Sequence, residues 1–368
     1  MRILYVTTIS LTVNCFFKPH IEMLVRAGHK VDIACNAENL PLDRFYTELG
    51  CDFHQIDFSR SYFSFAHIKA YKQLKHLLEA GAYDIVHCHT PNASAITRLV
   101  CRKFRKKNGL KVYYTAHGFH FYKGAPKLNW MVYYPIEKFC SRFTDKLITI
   151  NKEDYTLAQK EFKAGDVYYI PGVGIDPLKF ERIQVDRASK RRELGIPEDA
   201  KLLFSVGELN ENKNHQLVLK ALAKLNDTLV HYAVAGDGPC AKALEELAGT
   251  LGISNRVHFL GYRKDVAELY RVADVFCHPS LREGLPVSLM EAMASAMPVV
   301  CSKIRGNVDL IDVEGGMFFD PRDDDSCLSS IKTVLNGDLA YMGNINKTNA
   351  KHYSVNDVLD AISNIYES

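Results

Sequence analysis

Val275-Phe276-Cys277-His278-Pro279-Ser280-Leu281-Arg282-Glu283-Gly284-Leu285-Pro286-Val287-Ser288-Leu289-Met290-Glu291-Ala292-Met293-Ala294 passes from a short β-rich apolar run, through a loop, into good helix formers. Gly284 permits close backbone approach, and Pro286 suits a first helical turn, where its missing N–H costs nothing. The loop therefore delivers a helix N-terminus to the end of a strand, a place that attracts phosphate through free N–H groups and the helix dipole. Glu283 lies before that helix and Glu291 about one and a half turns inside it. A carboxylate accepts hydrogen bonds from two hydroxyls at once, which suits sugar or ribose recognition; two surface acids on a capped helix are the plainer alternative.

Outward from this stretch, strand and helix signals alternate. Upstream come strands at Leu202–Val206, His231–Ala235 and Val257–Leu260, interleaved with helices at Gln216–Lys224, Cys240–Leu251 and Val266–Val272. A strand at Val299–Cys301 follows. The first half repeats the pattern, with strands at Ile3–Thr7, Lys30–Cys35, Asp84–His89, Lys111–Thr115 and Lys146–Ile150 and helices over Phe16–Ala27 and Ile68–Leu78. Such alternation predicts an α/β chain with two doubly wound parallel sheets. The Pro/Gly-rich stretch Ile170–Pro177 reads as the crossing between them. The expected domains are residues 1–170, residues 171–352, and a terminal helix over 353–368 packed back on the first. Ligands of open parallel sheets bind beyond the carboxyl ends of strands.

The length of 368 residues suits two domains. No run of 18 apolar residues exists, so no membrane span is expected. The opening MRILYVTTISLTVNCFF reads as a strand rather than a cleaved leader. Ten scattered cysteines without a C-x-x-C pair suggest reduced thiols, a cytoplasmic setting and no metal site. Charge is uneven: residues 1–170 carry 24 Lys and Arg against 15 Asp and Glu, and residues 171–368 carry 22 against 28. Seven cations lie between Arg98 and Lys111 without an acid. They suggest an anionic partner such as a membrane surface, or else a solvated helix.

E-G-L-P-V-S-L-M-E-A-M-A, residues 283–294, followed by Pro298-Val299-Val300, resembles the signature of the family-4 glycosyltransferases. These are retaining enzymes of GT-B fold, with two Rossmann-like domains facing a cleft. The resemblance covers nearly the whole chain. It implies that Glu283 contacts the donor sugar and Glu291 the ribose of a nucleotide sugar, most often a UDP-sugar. It places Arg282, Gly284, Leu285, Pro286 and Val287 on the same donor loop. It also implies that Gly207, Asn212 and Lys213 approach the donor, that Gly236 and Gly238 line its cleft, and that the Arg263 loop borders the base. The family's usual diphosphate-binding arginine stands at Glu208 here. A carboxylate cannot replace a guanidinium at a diphosphate, so either Arg282 or Lys303 fills the gap, or Glu208 turns away. His117, in an H-G context, is implied to orient the sugar.

In the first domain Thr8, His89 and His120 are expected on the acceptor side, whereas His87 reads as a core residue. Catalytic roles fall to His117, Glu283 and Lys213, with no metal and no cofactor beyond the nucleotide-sugar substrate. Asp323-Asp324-Asp325 formally contains D-x-D, yet acids before a helical run read as a cap. The expected acceptor is a glycan or polyprenyl-diphosphate-linked sugar in capsule or exopolysaccharide synthesis. A peripheral place on the inner membrane face would follow from the basic first domain and the aromatic stretch Phe119–Tyr134; no nucleic-acid partner is expected. Competing readings are a nucleotide-sugar epimerase of GT-B-like fold, a non-catalytic nucleotide-sugar binder, and an NAD enzyme resting on Gly236-Asp237-Gly238-Pro239-Cys240-Ala241.

Overall fold

The computed structural model describes residues 1–61 and 64–368 and divides into two compact units. The first comprises Met1–Val173 with Val355–Ser368, the second Gly174–Ser354. Seven strands build the first unit: β1 (Arg2–Ile9), β2 (Lys30–Asn36), β3 (Phe53–Gln55), β4 (Ile85–His89), β5 (Lys111–Ala116), β6 (Lys146–Thr149) and β7 (Asp166–Tyr169). Their order is β3-β2-β1-β4-β5-β6-β7, all parallel. Six strands build the second: β8 (Lys201–Val206), β9 (Val230–Ala235), β10 (Val257–Phe259), β11 (Val275–His278), β12 (Val299–Ser302) and β13 (Gly316–Phe319). Their order is β10-β9-β8-β11-β12-β13, also parallel. Central strands are buried on both faces, as a parallel sheet covered by helices requires: every residue of β4, β9, β11 and β12 is buried.

Both sheets contain a switch point, where strand order reverses and the flanking helices leave to opposite faces. It falls between β1 and β4 in the first unit and between β8 and β11 in the second. Three strands go beyond the sequence expectation: β3, β7 and β13. Each is a sheet edge of three or four residues and carries exposed or half-exposed positions. The helix expected over Phe16–Ala27 is found at Lys18–Arg26, and a separate helix, Ser10–Phe16, precedes it. Pro19 explains the break, since proline cannot donate to a preceding turn and is tolerated at a helix start. The buried Phe17 sits between the two helices.

The terminal helix Val355–Glu367 buries Val358, Ile362, Ile365 and Tyr366, one apolar stripe, within the first unit. Tyr366 Oη lies 2.6 Å from His87 Nδ1, and Lys146 Nζ donates to the Ile365 carbonyl at 2.5 Å. Asp323 caps the helix Asp324–Leu335 by accepting from the Asp325 and Ser326 amides, so the D-x-D letters serve a helix start. Among the described residues no helix is long and apolar enough to cross a membrane.

Candidate functional site

Strands β8, β11 and β12 are neighbours, so the loops that leave their carboxyl ends meet at one edge beside the switch point. The β8 loop turns sharply through Asn210, whose side chain accepts from the Lys213 amide, and through Asn214 in the left-handed region (φ 53°). Asparagine tolerates that conformation better than most residues. Backbone and amide groups then fasten this loop to the β11 loop. Leu281 N–H donates to Asn212 O (2.8 Å), Asn212 Nδ2 to Arg282 O (3.0 Å), and Asn214 Nδ2 to Pro279 O (3.2 Å).

That fastening brings Lys213 Nζ to 2.7 Å from Glu283 Oε1. His278, buried at the end of β11, stands 3.4 Å from the same oxygen, and Ser280 Oγ is 3.3 Å from the His278 ring. Burial pushes the Glu283 carboxyl up, but Lys213 and then His278 outweigh it and hold the group well below the usual carboxylate range. Glu283 is therefore ionised, with 15% of its side chain exposed. His278 moves the other way: burial lowers its pKa despite Glu283, so its ring is neutral. Glu291 is distinct again. It sits inside the helix Val287–Ala294, accepts from Tyr270 Oη at 2.9 Å, and burial raises its pKa. Pro286 is the N-cap residue of that helix, one position earlier than expected, and no side chain caps it.

Gly236 is required by backbone crowding. A Cβ there would stand 1.9 Å from the Gly207 carbonyl oxygen, and one at Gly238 would stand 2.5 Å from the Leu209 carbonyl oxygen. The G-x-G letters thus serve the packing of the β9 loop on the β8 loop. Glu208 turns outward. It is exposed, and its carboxylate accepts from Asn210 Nδ2 at 3.0 Å. Of its expected substitutes, Lys303 is exposed and Arg282 half-buried, while Arg305, buried to 6% exposure, donates from Nε to the Glu283 carbonyl at 3.2 Å. The Arg263 side chain is engaged elsewhere, bidentate to Asp265 (2.8 and 2.5 Å) and bonded to Glu193 (3.0 Å). Only the backbone of its loop is left for reading a base.

The first unit gathers His87, His89 and His117 at the ends of β4 and β5. His89 Nδ1 lies 3.2 Å from His117 Nε2, and the His87 and His89 rings are 4.2 Å apart. His87 is a core residue held by Tyr366 and Thr115 (2.6 and 2.8 Å). Burial drops His117 to about 4 and His87 to about 3, and places His89 well below its usual value. At neutral pH His117 is a neutral imidazole, able to hydrogen-bond but carrying no charge. Thr8 stands at the β1/β4 switch point, but its hydroxyl and amide both meet Thr90 Oγ1 (2.7 and 3.0 Å). Its expected acceptor role would have to displace that contact. The His120 ring lies tilted against that of Tyr133 (centroids 4.9 Å apart, 45° between planes) and lines a cavity of about 170 Å³ with apolar walls from Ile96, Phe119, Phe121 and Ile136.

Sequence reasoning singled out neither His278 nor Arg305. His278 directly precedes the donor loop at a strand's carboxyl end, which was signal enough; Arg305 has none before the β12 loop is placed.

The description "Glycosyl transferases group 1" matches residues 186–352, and "Glycosyl transferase 4-like" matches residues 2–151. EpsD of Bacillus subtilis (strain 168), named as a glycosyltransferase, is 37% identical over 322 residues, 86% of this chain and 82% of that protein. The UDP-Gal:alpha-D-GlcNAc-diphosphoundecaprenol alpha-1,3-galactosyltransferase of Escherichia coli is 27% identical over 360 residues, 94% of this chain and 90% of that protein. Anabaena HepE, solved in complex with UDP, matches with a TM-score of 0.77 over 100% of both chains at 19% identity, a likeness of fold. On these matches, and on two Rossmann-like parallel sheets, the chain belongs to the family-4 glycosyltransferases of GT-B fold and is an enzyme acting on nucleotide sugars.

Proposed function

We propose that the enzyme transfers a hexose or N-acetylhexosamine from a UDP-sugar, with retention of configuration, to a glycan or polyprenyl-diphosphate-linked sugar in capsule or exopolysaccharide synthesis. The carrying observation is the Lys213–Glu283 pair at the β8/β11 switch point, beside the N-terminus of the helix Val287–Ala294. Glu283 is tied to Lys213 and His278, which suits a hydroxyl acceptor rather than a covalent nucleophile. The reading is therefore front-face transfer. The bond from the anomeric carbon to phosphate oxygen breaks, the acceptor oxygen bonds on the same face, and its proton leaves on the diphosphate. Lys213 and the helix N-terminus stabilise the charge that develops there, so no divalent metal is called for. For His117 the resemblance implies a sugar-orienting role, which a neutral imidazole suits. The donor and acceptor classes are supported by the UDP complex of HepE and by the diphosphoundecaprenol acceptor in the galactosyltransferase's name.

A panel of UDP-, GDP- and ADP-sugars, with and without a short polyprenyl-diphosphate-GlcNAc acceptor, tests this reading. The expected result is acceptor-dependent UDP release with retained product anomer, unchanged by EDTA. An isomerised donor without release would mean an epimerase, and binding without turnover a binder.

The cytoplasmic chain is further proposed to sit on the inner membrane face through the helix Lys127–Ser141. That helix exposes Leu128 (67%), Met131 (74%), Ile136 and Phe139. Its neighbour, the helix Pro91–Asn108, exposes Arg102, Lys103, Lys106 and Lys107, and Arg142 lies over Phe139. The aromatics expected at this face divide: Phe119 and Phe121 are buried, while Trp130, Tyr133 and Tyr134 pack partly into the core. Apolar residues beside cations suit an anionic bilayer surface. Co-sedimentation with phosphatidylglycerol vesicles is expected at low salt and should fall at high salt. Met131→Asp/Phe139→Asp should abolish it, and no wild-type binding at low salt refutes the membrane face.

A further inference from the structure

We propose that His89 is a positioning residue: it holds His117 in the tautomer whose hydrogen sits on Nδ1, so that His117 meets the substrate as a hydrogen-bond donor from that atom. The inference rests on the sugar-orienting reading of His117 above.

Sheet register makes the pair. His89 ends β4 opposite Thr115 of β5, and His117 is the first residue beyond Ala116, where β5 ends. His89 Nδ1 and His117 Nε2 thereby come to 3.2 Å. Burial lowers both pKa values, so both rings are neutral at neutral pH. A neutral imidazole has one N–H and one bare nitrogen, and the contact therefore holds one hydrogen, supplied by one ring or the other.

The far side of His89 decides which ring supplies it. His89 Nε2 is buried and has no hydrogen-bond partner among the described residues. With the shared hydrogen on His117, the hydrogen of His89 would sit on that Nε2 as an orphaned buried N–H. With the shared hydrogen on His89, only a lone pair is left there. As for backbone groups, an orphaned buried N–H is rarer than an under-used acceptor. Neighbouring rings do not receive the N–H either. Tyr5 and His87 lie 4.7 and 4.2 Å away, centroid to centroid, with planes 28° and 32° from that of His89, so they cover its faces, whereas its N–H lies at the edge. His89 thus donates from Nδ1, His117 accepts at Nε2, and the hydrogen of His117 sits on Nδ1. That nitrogen bonds no described residue, and His117 is partly exposed. His89, at 2% exposure, stands behind His117 rather than at the acceptor contact expected of it.

Nitrogen NMR of the full chain, isotope-labelled at histidine, reads the protonated nitrogen of each ring at neutral pH; His117→Gln and His89→Leu assign the two rings by loss of their signals. Both rings are expected to be protonated on Nδ1. In His89→Leu the His117 ring should shift toward the Nε2–H form, and kcat/KM should fall about 3- to 10-fold, the worth of one hydrogen bond. His89→Asn, whose amide N–H can stand where Nδ1 stood, should keep the His117 tautomer and most of kcat/KM. Protonation of wild-type His117 on Nε2 overturns the proposal. So does an unchanged His117 tautomer in His89→Leu, even with activity lost, because that is the pattern of a merely structural residue. An altered tautomer with wild-type kcat/KM overturns the role in the reaction, and so does a His89→Asn no better than His89→Leu. Absence of turnover with every nucleotide sugar overturns instead the proposed transfer, while the NMR result still decides the tautomer.

Discussion

Glu283→Gln is expected to lower kcat by about 100- to 1,000-fold, the usual effect of removing one aimed polar group from an active site. The substitution is nearly isosteric, and its amide oxygen can still accept from Lys213, so the loop should keep its shape. What disappears is the negative charge that orients Lys213 Nζ at 2.7 Å and would accept from donor-sugar hydroxyls. Because Lys213 and Glu283 act as a unit, Lys213→Met/Glu283→Gln should be little worse than either single variant. Steady-state kinetics of the three variants measures this, and a wild-type kcat in Glu283→Gln would remove Glu283 from the site. The pH dependence has a definite sign. A carboxyl whose folded pKa is depressed stabilises the fold above its unfolded value of about 4.3 and loses that contribution as pH falls toward the folded value. The stability difference between wild type and Glu283→Gln should therefore be constant from about pH 6 to 8 and shrink only in acid below about pH 4.

The Glu283–Lys213 contact was foreshadowed because both residues lie within a few positions of a strand end, where the family pattern and the ligand rule for parallel sheets coincide. The central strands were legible for a related reason. Val, Ile and Leu runs buried on both faces leave an unbroken apolar signal, as in Leu202–Val206 and Val275–His278. Edges were not legible. Phe53–Gln55 and Asp166–Tyr169 are only partly covered, and Gly316–Phe319 begins at a glycine, so none shows the pattern that burial imposes. Arg305 stayed hidden because its place beside the Glu283 carbonyl depends on Gly306 packing against Gly284, 22 residues earlier in sequence. The basic run misled in part. Its cations read as one charged surface, but helical geometry sorts them by face: Arg98 and Arg105, seven residues apart, turn to Glu137 and Asp145, and Arg102, Lys103, Lys106 and Lys107 remain outside.

Arg98→Met is expected to destabilise the first unit by about 3–5 kcal/mol, because it leaves the buried Glu137 carboxylate without its counter-charge. Arg98 is 1% exposed; it donates to Glu137 Oε2 at 2.7 Å and to Ser94 O at 3.1 Å, and lies over the Tyr114 ring at 4.1 Å. Tyr114 Oη donates to the other Glu137 oxygen at 3.2 Å, so the carboxylate would keep one neutral donor. Glu137→Met should cost a similar amount by stranding the guanidinium instead. The double variant Arg98→Met/Glu137→Met removes both charges at similar side-chain volume and should lie within about 1–2 kcal/mol of wild type, since desolvation of a buried pair offsets much of its attraction. Urea unfolding followed by tryptophan fluorescence isolates this unit, because the single tryptophan, Trp130, lies on the helix that carries Glu137. Additive losses in the double variant would show that the two side chains stabilise the fold through separate packing. Recovery in the double variant would show that their mutual charge compensation holds the helices Pro91–Asn108 and Lys127–Ser141 together beneath the cavity lined by His120.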